Sequence, residues 1–312
     1  MRTKTRRKGA VGEAVPSGND AHTESFSLIS NEKLMALYAN LLKCRIIEER
    51  LAATSRRGGK NSASASLRGY EAGTVGVAID LGSEDAVCSP ERGLLTDLRG
   101  AAAIDSLLLW SGVELPSNGF HPSKHGLRNG TPSVKPGHAH TQAAIGTALA
   151  HKTSKNTRVA IVFGNESKSD SWRDALHIAT VHALPMIFVL HQPGRAVRRS
   201  RTSDSKQFAR PDTPWFPSIT VDSNDVVAIY RVANEAISRA RLGRGPTLIE
   251  CLPFRPNGNG KHSQDPILTM ENYLRGKGLF RPAMKEDILK ASARELKALM
   301  KTTKGRVARS SR

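Results

Sequence analysis

RVAIVFGNESKSDSWRDALHIATVHALPMIFVLHQPG, residues 158–194, decides the fold. Val159 to Phe163 is a short apolar, β-branched run that stops at Gly164, and Met186 to Leu190 is a second, ending at His191-Gln192-Pro193-Gly194. Between them Trp172, Ala175, Leu176, Ala179 and Ala183 recur at helical spacing. Apolar runs without polar alternation suit strands buried on both faces, as a parallel sheet requires. A right-handed crossover then puts Gly164 and His191 at one edge of that sheet. It is the carboxyl edge, where open α/β sheets bind ligands.

The same alternation extends outward. Leu34, Leu37, Tyr38, Leu41, Leu42, Ile46 and Leu51 mark the buried stripe of a first helix, ending near Arg56-Arg57-Gly58-Gly59. Glu71 to Asp80, rich in small residues, reads as a helix packed closely on a sheet, and Ala86 to Ser89 as a short strand. Ala101 to Ser111 reads as a helix, Glu114 to Gly137 as loop, and Thr141 to His151 as a short Ala-rich helix. Beyond a long basic loop, Gln192 to Pro217, come a strand at Ile219–Val221, a helix at Asp225–Arg241, a strand at Thr247–Leu252 and a helix at Lys285–Met300. The expected fold class is α/β, a doubly wound, mostly parallel sheet. The expected organisation is a basic leader over 1–28, one domain over 29–300 and a basic tail over 301–312.

Lys and Arg number 47 against 28 Asp and Glu, a formal charge of +19, part of it concentrated in MRTKTRRK at the start and LKALMKTTKGRVARSSR at the end. Solvated, disordered tails explain such runs. A weak hold on nucleic acid stays a minor reading, because aromatic residues are 5% of the chain and no RNA-binding or zinc-finger pattern occurs. Cys44, Cys88 and Cys251 are scattered in apolar contexts, as expected of reduced thiols in a cytoplasmic protein. No apolar run approaches the roughly 18 residues of a membrane span. No apolar stretch follows the basic start, which argues against secretion; an Arg-rich mitochondrial address, to the matrix, is the alternative.

Several local patterns lead nowhere. Gly258-Asn259-Gly260-Lys261-His262-Ser263 lacks the first Gly of a phosphate loop and has His where Ser or Thr should follow Lys. His138 and His140 make a lone H-x-H, short of the four-ligand geometry of a zinc site. No nucleophile elbow, H-E-x-x-H or C-x-x-C occurs, so hydrolase readings lack support.

Taken together, the segments from Leu34 to Leu279 resemble the alpha subunit of the thiamine-diphosphate-dependent 2-oxo acid dehydrogenases, the decarboxylating first components of the pyruvate and branched-chain complexes. LMALYANLLKCRIIEERL is similar to the family's opening helix. GYEAGTVGVAIDLGSEDAV resembles its G-Q-E-A segment, with Tyr70 for Gln. VDSNDV (221–226) resembles V-D-G-N-D-V, ARLGRGPTLIEC the stretch A-R-x-G-x-G-P-T-L-I-E, and DPILTMENYLRGKGL (265–279) the family's D-P-I-x-R-L-x-x-Y-L-x-x-K-G-L.

The resemblance implies an oxidoreductase acting on 2-oxo acids with a disulfide acceptor. It also implies thiamine diphosphate and magnesium as cofactors, and a beta-type partner in an α2β2-like heterotetramer. The chemistry belongs to the cofactor, whose thiazolium ylid attacks the 2-oxo carbon. The alpha subunit holds the diphosphate through magnesium, with Asp from G-D-G after the first strand of the opening unit and Asn from an N-N pair after the second. This chain departs at both places. G-D-G reads Gly164-Asn165-Glu166, and N-N reads Gln192-Pro193, followed by Gly194. Asn165 keeps an oxygen for the metal but loses a charge worth roughly 4 kcal/mol at about 4 Å in a medium of intermediate dielectric. Glu166 is placed to restore that charge, yet it replaces the small Gly that lets backbone approach the diphosphate. Pro193 offers only its carbonyl, with Gln192 beside it as the substitute. The family's Y-R-x-H reads Glu91-Arg92-Gly93-Leu94, which leaves Arg92 as diphosphate ligand. His262-Ser263 match the His-Ser of the loop that closes over the cofactor, His262 being the candidate catalytic residue, and that loop is cut short before Asp265-Pro266.

Two functions follow. One is a divergent alpha subunit that decarboxylates a 2-oxo acid with a beta-type partner. The other is a cofactor-free paralogue that keeps the fold and the beta-binding surface as a structural or regulatory subunit, and the residues at the strand ends favour it.

Overall fold

In the computed structural model the described residues are 29–55, 70–82, 84–88, 139–164, 170–191, 209–253, 265–294 and 297. Their elements, in order, are α1 (Asn31–Ser55), α2 (Glu71–Ala78), β1 (Ala86–Cys88), α3 (Ala139–Thr153), β2 (Ala160–Gly164), α4 (Asp170–Val181), β3 (Met186–His191), β4 (Ser218–Asp222), α5 (Val226–Arg241), β5 (Thr247–Leu252) and α6 (Pro266–Gly276). A further helix, α7, spans 282–294. The chain divides into Met1–Ser30 and Asn31–Arg312, and all these elements lie in the second unit. The expected helix at Ala101–Ser111 and the loop at Glu114–Gly137 lie outside the described residues.

The five strands form one sheet in the order β1-β2-β3-β5-β4, and every pair is parallel. From β1 to β3 the chain steps one way across the sheet, with α3 and α4 as crossovers. From β4 to β5 it steps back through α5. Right-handed crossovers therefore place α3 and α4 on one face and α5 on the other, a doubly wound α/β fold as expected.

The first face is mostly apolar, with the buried Glu250 of β5 as an exception. Ala160, Val162, Met186, Phe188, Leu190 and Leu248 meet Ala144 and Ala148 of α3, and Trp172, Ala175, Leu176 and Ala179 of α4. Trp172 and Phe188 pack edge to face at 5.2 Å. Ala209 and Phe216 join this core, so the segment before β4 crosses the same face.

On the second face every residue of α2 is buried. A Cβ on Gly76 would lie 2.8 Å from Ile229 Cγ2, so the small residues of EAGTVGVA let α2 press onto α5. α5 presents Val226, Val227, Ile229, Ala233, Ala236, Ile237 and Ala240 inward. Asp225 caps it, its carboxylate accepting from the amides of Val227 and Ala228. The V-D-S-N-D-V motif is this turn: Asp222 Oδ1 accepts from the backbone and side-chain nitrogens of Asn224, which brings Asp225 to the cap.

Most boundaries differ from the sequence expectation by one to three residues, and two of them have a clear local reason. β2 starts at Ala160 because the Val159 amide donates to the buried Asp85 carboxylate rather than to a ladder partner. α4 ends at Val181, and Ala183 leaves the helical stripe at φ 42°. There the amide of Leu184 reaches back to the Ala179 carbonyl and that of Ala183 to Thr180, a helix-ending turn that usually recruits glycine.

Candidate functional site at the carboxyl edge

Ala209 and Phe216, ahead of β4, lie on the first face, whereas β5 is followed by α6, which packs on α1 and α5. The carboxyl ends of β3 and β5 therefore flank the place where the winding reverses, and ligands bind in such a crevice. His191 ends β3 there, in register with Cys251 of β5. One strand further, Gly164 ends β2 opposite Leu190, so the strand–helix–strand unit delivers both strand ends to one edge, as its sequence implied.

Rings fill both sides of this edge. Trp172 lies against Gly164 so closely that a Cβ there would meet the indole at 2.5 Å. On the other face the His191 imidazole lies on α2, where a Cβ on Gly73 would be 2.0 Å from Nε2. Tyr70, just before α2, stacks obliquely on His191 at 4.9 Å, and Phe163 does so at 5.8 Å. His191 is 7% exposed. Its Nε2 has no hydrogen-bond partner among the described residues. Burial pushes its pKa down to about 4, so it is neutral at physiological pH. The Cys251 thiol is pushed up to about 12, first by burial and then by the Glu250 and Asp222 carboxylates, and it stays protonated and inert.

A second group braces the site from behind. Arg45 of α1 donates through Nε to Glu71 at 2.8 Å, and through its two terminal nitrogens to both oxygens of Asp265 at 2.9 and 3.0 Å. Glu71 is fully buried beside Tyr70, and Asp265 also caps α6 through the amide of Ile267. The two carboxylates hold Arg45 charged throughout the working pH range. This fork joins α1, α2 and α6 next to the ring cluster.

Of the residues singled out in the sequence, Gly164 is described, at the end of β2. Arg92, Asn165, Glu166, Gln192, Pro193, Gly194, His262 and Ser263 lie outside the described residues, as do His138 and the side chain of His140. Among the described residues no group of three or more His, Cys, Asp or Glu side chains is placed to hold a metal ion. None of the described helices is long and apolar enough to cross a membrane. Sequence reasoning missed His191 as a site residue. Its signal was present, a histidine ending an otherwise apolar strand immediately before the Gln192-Pro193 substitution. The Arg45–Glu71–Asp265 fork left no such trace, because its members lie 26 and 194 residues apart.

Comparison with known proteins agrees with this frame. The dehydrogenase E1 component family matches residues 39–304. Pyruvate dehydrogenase E1 component subunit alpha of Staphylococcus aureus is 24% identical over 311 residues, covering 91% of this chain and 82% of that protein. Its counterpart in Staphylococcus epidermidis is 25% identical over 310 residues, with 91% and 81% covered. That of Mycoplasma pneumoniae is 26% identical over 293 residues, with 86% and 80% covered.

Proposed function

The chain belongs to the dehydrogenase E1 component family, as an alpha subunit of the thiamine-diphosphate-dependent 2-oxo acid dehydrogenases, and from that premise we propose that it is a non-catalytic paralogue that assembles with a beta-type partner without itself clamping the cofactor. One observation carries the reading: β3 ends at the switch point in a buried, neutral imidazole enclosed by Tyr70 and Phe163. Magnesium is a hard ion that wants carboxylate and phosphate oxygens in near-octahedral array. A neutral ring nitrogen does not meet that need. The residues that follow the two strand ends point the same way, since Asn165-Glu166 and Gln192-Pro193 stand where the family has Asp-Gly and Asn-Asn. These groups do not fit a magnesium diphosphate.

A different observation favours the catalytic reading. The N-termini of α3 and α4 meet at the carboxyl edge, where Thr141 Oγ1 lies 2.6 Å from Ser171 Oγ. Helix N-termini attract phosphate, although Asp170 in the first turn of α4 opposes an anion there.

Co-expression with a beta-type dehydrogenase subunit, followed by sedimentation and a 2-oxo acid decarboxylation assay, separates the readings. A stable mixed complex without turnover is expected. Turnover by that complex would overturn the non-catalytic part, and two subunits sedimenting apart would overturn the partner part.

A further inference from the structure

At the opposite, amino edge of the sheet four turns lie side by side. Lys152, near the end of α3, donates to the His182 carbonyl just after α4. A Cβ on Gly245, in the turn after α5, would be 3.5 Å from Cα of Ala183, so that turn backs onto the end of α4. The Leu248 amide bonds the Pro217 carbonyl, which seats Trp215-Phe216-Pro217 at the start of β5.

Large apolar side chains at these turns and at the helix ends beside them are exposed. Trp215 is 80% exposed, Leu242 68% and Val181 51%. Cations stand at the same turns. Lys152, Lys155 and Arg244 are exposed, and none forms an ion pair among the described residues. The nearby acids are already engaged, Glu84 with Arg158, Asp85 with Arg241, and Asp174 and Asp212 with Arg210. Tryptophan and arginine are the residue types that most often anchor protein interfaces.

We infer that the amino edge is a docking surface for an acidic, apolar segment of a partner protein, held by Trp215, Leu242 and Val181 and oriented by Lys152, Lys155 and Arg244. Local charge selects this occupant, because the cations of the row form no ion pair among the described residues while Glu84 and Asp85 beside them are engaged. The exposed tryptophan and leucine select a protein over a polyanion, which has no apolar side chain to bury on them. The surface lies at the end of the strands away from Gly164 and His191, so it does not depend on whether the carboxyl edge holds a cofactor.

The test titrates the full chain with a fluorescein-labelled peptide carrying Glu and Leu at helical spacing, against polyglutamate, oligo-dT and phosphatidylserine vesicles as competing probes. Saturable one-to-one binding of the peptide is expected, weakened about tenfold or more by Trp215→Ala and by the pair Lys155→Glu and Arg244→Glu. Lys290→Glu, on the exposed side of α7, is expected to leave it unchanged. Circular dichroism and a Leu242→Ser variant guard against misfolding of the tryptophan variant. Polyglutamate, oligo-dT or vesicles binding as tightly as the peptide would overturn the proposal, and so would binding indifferent to the amino-edge substitutions.

Discussion

The two faces of the sheet are held by different physics. Against α3 and α4 the sheet buries a continuous apolar core in which alanines bring the helices close and Trp172 fills the remaining space. The face that carries α1, α2, α5 and α6 is laced with buried charge. Arg45 forks between Glu71 and Asp265, Glu271 accepts from Tyr38, Arg275 and Lys285, and Asp80 accepts from Lys33 and Tyr230. A mostly apolar face tolerates substitution as long as volume is conserved. A face with paired charges does not, because a displaced partner leaves the buried Glu71 or Glu271 charged and dry. The side that fixes α2 against the switch point is the one built from charged pairs.

Breaking one element on each face separates these mechanisms. Arg45→Ala leaves Glu71 charged and buried and is expected to cost about 3–5 kcal/mol in urea denaturation. Adding Glu71→Leu should recover most of that loss, since an apolar replacement of a buried pair is often neutral. Trp172→Ala is expected to cost a similar 3–5 kcal/mol through the cavity it leaves, and no second truncation should restore it. Recovery on the first face and none on the second would invert the account.

His191 sharpens the comparison through pH. Its value is depressed from 6.5 to about 4 in the folded chain. Above pH 6.5 both folded and unfolded states hold it neutral. As the pH falls from there, the unfolded chain takes up a proton that the folded chain refuses until about pH 4, so stability is lost across that window. The loss amounts to roughly 3 kcal/mol, and His191→Phe should abolish that part of the acid sensitivity, as read from denaturation midpoints between pH 7 and 4. Asp225→Ala removes only the cap of α5 and should cost about 1 kcal/mol.

Much of this frame was legible in the sequence. The buried strands announce themselves as apolar runs, and Trp172, Ala175, Leu176 and Ala179 face inward as their spacing requires. The α5 cap is visible too, as Asp225 before an amphipathic run. What stayed hidden depends on tertiary neighbours. Ala183 continues the helical pattern, but the turn onto β3 takes it out of the helix. The Arg45 fork joins residues with no local relation, and the Nε2 of His191, without a partner among the described residues, lies against Gly73 in a contact that no spacing rule encodes. Two strand ends could be located from the sequence, whereas the rings that occupy them required the fold.

The central claim is that this alpha-type fold does not clamp magnesium diphosphate at its strand ends. Calorimetric titration of the chain, purified together with a beta-type subunit, with thiamine diphosphate and magnesium tests it most directly. The account predicts no saturable heat at micromolar cofactor. It also predicts that binding emerges only when Asn165→Asp, Glu166→Gly and Pro193→Asn are combined. Saturable, magnesium-dependent binding by the unaltered chain would contradict it.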